Sequence, residues 1–231
     1  MEHLHSLHEK AKLEKSNGQL SHLSKDVIIS PETGVSARLF IPKLPNPNCK
    51  LPLLIYIHGG GFSIQSAFST SYNHYVKSLV AEANVIALSV DYRLAPEHPI
   101  PACYDDSWAA VQWAASHANG DGPDTWLNNH ADFSRVFFAG DSAGGEHIEH
   151  TGIPGRMWLY MCPNHGGLED PRLKPGAEDL ARLGCERVLM FVAEKDHLRP
   201  VAWDYYEKLK KSEWKGTVEI VENHGRSTCS I

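Results

Sequence analysis

The sequence predicts an α/β protein with a mostly parallel central sheet and helices on both faces, and three observations lead there. Short apolar runs rich in β-branched or aromatic residues recur along the 231 residues. Several of them are continuous rather than alternating, as in strands buried on both faces. Segments with helical periodicity separate them, so strand and helix alternate. One domain spanning residues 1–231 is the expectation at this length.

The elements follow in order. Residues 1–24, including His3, His5 and His8, read as an N-terminal segment, either mobile or a surface helix. Val27–Ser30 and Ser36–Ile41 flank the turn-rich Pro31-Glu-Thr-Gly34 and read as an antiparallel pair. Leu53–Ile57, Val85–Val90 and Val136–Ala139 are the continuous runs, expected to pair in parallel. Tyr72–Ala83 carries apolar residues at 72, 75, 76, 79, 80 and 83, one face of a helix, and Asp105–Ala118 reads as a second helix. Near the end, Val188–Val192, a helix around Val201–Lys211, and Val218–Val221 repeat the rhythm. Catalytic loops in such a sheet lie at the carboxyl ends of the strands.

Composition narrows the function. Lys and Arg number 22 against 28 Asp and Glu, a net charge of −6 without a basic run, so nucleic acid is not an expected partner. The longest apolar stretch, Leu51–Ile57, is far shorter than the ~20 residues of a membrane span. The opening MEHLHSLHEK lacks the apolar core of a signal peptide. Five scattered cysteines (Cys49, Cys103, Cys162, Cys185, Cys229) without a CxxC pair suit a reducing compartment, with the cytoplasm as the default. His147 and His150 stand three apart without the H-E-x-x-H order of a zinc helix, so no metal site is expected.

The chemistry lies in three loops. Gly140-Asp-Ser-Ala-Gly144 directly follows a strand, the context in which a tight turn exposes a serine hydroxyl, and Ser142 is the candidate nucleophile. His58-Gly-Gly-Gly-Phe62 follows Leu53–Ile57, and its bare backbone suits an oxyanion hole with Gly59 and Gly60 as donors and Ala143 as the third. Asp196, in Glu194-Lys-Asp-His-Leu198, follows the strand Val188–Val192 where a triad acid belongs. An aspartate capping the helix that begins near Pro200 fits the same position.

Together HGGGF, Asp91-Tyr-Arg-Leu-Ala-Pro-Glu-His98, GDSAGG and EKDHL resemble the plant carboxylesterases of the hormone-sensitive-lipase group in the α/β-hydrolase superfamily, over most of residues 25 to 222. The resemblance implies an α/β-hydrolase fold and cleavage of small-molecule esters by a Ser-Asp-His triad without a cofactor. By position Ser142 and Asp196 match the nucleophile and the acid, while Arg93 and Glu97 fall in a structural turn. Two related groups imply other outcomes. The 2-hydroxyisoflavanone dehydratases reuse the oxyanion loop for elimination, and the gibberellin receptors lack the catalytic histidine and bind a small molecule without turnover.

The chain departs from this family twice. Only 54 residues separate Ser142 from Asp196, and Gly152 and Pro154 stop any helix soon after Gly145. The one apolar run left, Met157–Met161, resembles the cap region, within which Trp158 and Tyr160 either pack or line an acyl pocket. One core strand and part of the cap are therefore expected to be missing, which would expose an unpaired sheet edge. Where the family places its base in a His-x-Phe segment, this chain ends Glu222-Asn-His-Gly-Arg-Ser-Thr-Cys-Ser-Ile231. His224 is the one histidine after the last strand, and it fits either the base or the turn residue preceding it.

Overall fold

A computed structural model of the chain describes residues 22–44, 46, 48–145, 158–164, 170–172 and 174–227. Readings on residues 1–21, on His147, His150 and Met157, and on Cys229 lie outside the described residues. Residues 22–24, assigned above to the N-terminal segment, instead open the first strand. Contacts gather the chain into two compact units, Met1–Gly145 and Glu146–Ile231.

The first unit runs β1 (His22–Ser30), β2 (Val35–Pro42), β3 (Leu51–Ile57), α1 (Thr70–Ala83), β4 (Ile86–Asp91), α2 (Ala102–Ala115), α3 (Thr125–His130) and β5 (Ala131–Gly140). Its sheet has the order β1-β2-β4-β3-β5. The first two pairings are antiparallel and the pairs β4–β3 and β3–β5 are parallel. The second unit runs α4 (Ala177–Ala181), β6 (Arg187–Ala193), α5 (Arg199–Lys211) and β7 (Thr217–Asn223), with β6 and β7 paired in parallel.

The continuous apolar runs are explained by burial from both sides. Phe40, Ala87 and Tyr56 line one face of the sheet, where Tyr72, Val76 and Val80 of α1 cover them. Leu39, Leu88 and Ile55 lie one residue out of phase, point to the other face and are equally buried. At roughly 1.5–3 kcal/mol per buried aliphatic side chain, this double layer is the main source of the unit's stability.

Two helices differ from the sequence reading for local reasons. α2 begins three residues earlier than expected because Pro101 O accepts the N–H groups of Tyr104 and Asp105. It ends at Ala115, where His117 Nδ1 and Ser116 Oγ both bond Trp113 O in competition with the helix ladder. The helix α3 was not anticipated. Asp124 caps it by accepting the N–H groups of Trp126 and Leu127, and it pairs with Lys25 at 2.6 Å.

Among the described residues between Gly140 and Arg187 none belongs to a strand, in keeping with the expected gap. β5, ten residues long rather than the four expected, is the last strand of the sheet among the described residues. Phe137 and Phe138, on opposite faces near its end, are 47% and 60% exposed. Residues 158–161 of the cap-like run are helical. Trp158 there is fully buried under the Arg172 guanidinium, but Tyr160 is 72% exposed and does not pack.

Two features test this architecture. The Arg93 side chain and its backbone N–H bond Asp106, which is 2% exposed, and so fasten the loop after β4 to α2. Arg93 is framework, and Glu97 in the same turn is exposed. Removing the acceptor strands a partly buried guanidinium, so Asp106→Ala should lower unfolding free energy by about 3 kcal/mol, measured by urea denaturation. His58, the first residue after β3, is also fully buried: its Nδ1–H donates to Gly59 O (2.7 Å) and its ring stacks on Tyr92 at 4.2 Å. Burial lowers its pKa below the ordinary 6.5, outweighing the opposite effects of the Gly59 bond and the carboxylates of Asp91 and Asp141. The unfolded chain therefore binds this proton more readily, and the associated stability, complete above pH 6.5, is lost as pH falls below it. The urea midpoint of the parent chain should fall more between pH 7 and 5 than that of His58→Gln.

Candidate active site

The site of the first unit grows from the parallel pairing of β3 with β5. In register, Ile57 lies opposite Gly140, so the loops leaving the two strands start side by side. The serine loop is a tight turn. β5 ends at Gly140, and a single 3-10 turn, Ser142–Gly145, begins at once, closed by the Gly144 N–H donating to Asp141 O at 2.8 Å. Ser142 itself has φ 50°, a left-handed conformation that costs a serine about 1 kcal/mol or more, and it is exposed. The flanking glycines are steric requirements: an added Cβ would come within 2.2 Å of Gly144 O at position 140 and within 2.0 Å of Ile57 O at position 144.

The glycine loop is organised by its neighbours. Gly60, at φ 111°, turns the chain, and its carbonyl accepts the N–H groups of Ser63 and Ile64. Tyr92 Oη donates to His58 O at 2.8 Å. The N–H of Gly59 is already engaged, donating to Tyr72 Oη (3.0 Å) and to Asp141 Oδ1 (3.1 Å). Of the two glycines taken above as donors, Gly59 thus spends its N–H inside the protein. Among the described residues none accepts the N–H of Gly60, Gly61 or Ala143.

Asp141, Tyr56 and Tyr72 are the residues that the sequence reading missed. The Asp141 carboxylate accepts hydrogen bonds from Tyr56 Oη (2.8 Å) and Tyr72 Oη (2.7 Å) as well as from Gly59. Burial first, with the Asp141 charge adding to it, pushes both phenols far above their ordinary pKa of 10, so they remain donors. The one signal available was the acidic residue inside the GDSAG turn, where a side chain beside the nucleophile must find a partner.

Asp196 and His224 belong to the second unit, which is described by itself. The β6–β7 pairing ends with Ala193 opposite Asn223 and continues into the loops, where the Glu194 N–H donates to Asn223 O and the Lys195 N–H to Arg226 O. The two loops therefore lie together. Asp196 Oδ1 accepts the Leu198 N–H at 2.8 Å in the turn just before α5, whose N-cap is Leu198 and not Asp196 as the capping alternative would have it, and lies 3.6 Å from His197 Nδ1. His224 is 80% exposed in its side chain, and the carboxylate recorded beside its Nδ1 is Glu194, at 3.7 Å. Glu194 also accepts the Gly225 N–H, a bond that fixes the turn bearing His224. Among the described residues no helix is long and apolar enough to cross a membrane.

Comparison with known proteins places this arrangement. A family model described as alpha/beta hydrolase fold matches residues 54–153 and 151–228, two pieces that overlap at residues 151–153. Probable carboxylesterase 13 from Arabidopsis thaliana is 39% identical over 266 residues, covering 91% of this chain and 81% of that protein. That alignment is longer than the 231-residue chain, so the relative carries residues that this one lacks. The 2-hydroxyisoflavanone dehydratase of Glycyrrhiza echinata is 38% identical over 256 residues, 89% of this chain and 78% of its own length. Among solved structures, the thermophilic carboxylesterase EstE1 from a metagenomic library shares the fold at a TM-score of 0.70, with 24% identity over 97% of this chain and 87% of that one. With the glycine loop and the serine turn set side by side on β3 and β5, and relatives near 40% identity over most of its length, the chain belongs to the plant carboxylesterase family of alpha/beta hydrolases.

Proposed function

We propose that this chain hydrolyses carboxylic esters of small molecules with Ser142 as nucleophile. The observation that carries this is Ser142 held at positive φ in an exposed turn, beside a glycine loop with N–H groups that no described residue accepts. Ser142 Oγ attacks the ester carbonyl while His224, aided by Asp196, accepts its proton. The oxyanion takes hydrogen bonds from Gly60 and Ala143, and from Gly61, whose N–H is equally unengaged. Gly59 holds the loop to Asp141 instead of donating. Collapse expels the alcohol, which receives the proton from His224, and water then releases the acid by the same steps in reverse. No cofactor takes part. The scattered cysteines support a cytoplasmic setting.

A second reading, elimination of water, is favoured by the relative named 2-hydroxyisoflavanone dehydratase. The two differ in product, since elimination yields water and an unsaturated compound while hydrolysis yields an acid and an alcohol.

The test is turnover of a short-chain p-nitrophenyl ester by the purified chain beside Ser142→Ala and His224→Ala. Both substitutions should reduce kcat at least ~10³-fold. A parent chain no faster than Ser142→Ala would overturn the hydrolase reading. Water loss from a 2-hydroxyisoflavanone would then favour elimination, and tight gibberellin binding without turnover would favour a receptor-like binder.

A further inference from the structure

Asp141 has no part in the steps above, yet it is the most heavily bonded side chain around the serine turn. Its two oxygens accept from Tyr56 Oη, Tyr72 Oη and the Gly59 N–H, and Tyr72 Oη in turn accepts from that same N–H. The four groups come from β3, the loop after it, α1 and the residue before Ser142. The fit is tight: a Cβ on Gly59 would lie 2.6 Å from Asp141 Oδ2 and 3.0 Å from Tyr72 Oη. The loop after β3 and the turn after β5 are therefore joined by side-chain bonds as well as by the strand pairing behind them.

From this geometry we infer that Asp141 and Tyr72 are positioning residues for the oxyanion hole, clamping the Gly59 N–H so that the two N–H groups after it face the carbonyl attacked by Ser142. The inference rests on the hydrolase reading and assigns to it a part that neither residue plays by touching substrate. Engaging the Gly59 N–H fixes the His58–Gly59 peptide plane, and the next plane is held through Gly59 O, which accepts the His58 Nδ1–H, so the chain reaches Gly60, at φ 111°, with the direction of the following donors set. Because Asp141 adjoins Ser142 in sequence, the same carboxylate references those donors to the nucleophile. Tyr72 completes the clamp: without its hydroxyl, Gly59 keeps only the 3.1 Å bond to Oδ1, and Oδ2 loses its recorded donor.

The decisive variant is Tyr72→Phe, which removes one oxygen and keeps the ring packed on Tyr56 and His58. Asp141→Asn is the second, since an amide offers one acceptor oxygen where the carboxylate offers two. Deleting an oxyanion donor costs ~10²–10³-fold in kcat, so misdirecting donors that remain should cost about tenfold. Two quantities are measured on the full chain: kcat and KM for p-nitrophenyl acetate, and amide hydrogen exchange of the peptide covering residues 58–66. The clamp requires that Tyr72→Phe lower kcat about tenfold with KM within twofold, and that exchange over residues 59–61 quicken in both variants. Unchanged kcat together with unchanged exchange would overturn it, as would a loss confined to KM. A parent chain no faster than Ser142→Ala would remove the hydrolase reading; the exchange comparison would then decide the clamp by itself, unchanged protection refuting it.

Discussion

The backbone of Gly144 passes so close to the end of β3 that an added Cβ would sit 2.0 Å from Ile57 O, and the first unit is arranged around that approach. Parallel pairing of β3 and β5 brings Ile57 level with Gly140, after which both chains must turn in the same small space. Glycine at 140 and 144 makes room on one side, and the glycines after His58 make room on the other. The strain carried by Ser142 at positive φ follows from that geometry, held in place by the strand pairing that ends at Gly140 and by the Gly144 N–H bond to Asp141 O that spans the serine. Burial of β3 and β4 from both faces supplies the rigidity that allows such a turn to persist.

The second unit repeats the same logic on a smaller scale. Two parallel strands end together, and the bonds from Glu194 to Asn223 and from Lys195 to Arg226 keep their outgoing loops adjacent. Asp196 spends one carboxylate oxygen on the turn that starts α5, and Glu194 spends one on the turn that holds His224. Both acids thus serve the backbone of the loops that leave the two strands.

Much of this was legible in the sequence because the signals are local. Continuous apolar runs marked β3, β4 and β5, and the i, i+4, i+8 spacing of Tyr72, Val76 and Val80 marked α1. The short interval after Ser142 foretold the missing strand. What escaped notice depends on distance in three dimensions. Nothing in the chain announces that Tyr56 and Tyr72 converge on Asp141 across 85 and 69 residues, nor that this leaves Gly59 without a free N–H. The shift of α2 arose from competition at its ends, where His117 and Ser116 capture a carbonyl that periodicity alone assigns to the helix.

The way the end of β5 is held has a mechanical consequence. A strand bonded on both sides is braced like a plank between joists, whereas among the described residues β5 takes ladder bonds from β3 alone, and its two phenylalanines near the tip are exposed. Within the described sheet it behaves as a cantilever, and the serine follows its end. For such a beam, positional accuracy at the tip is set by how the tip is tethered and little by the length of its root. The tether is the knot of tyrosine hydroxyls and glycine N–H around Asp141, so a few hydrogen bonds at the end of the strand supply the stiffness that a neighbouring strand would otherwise provide.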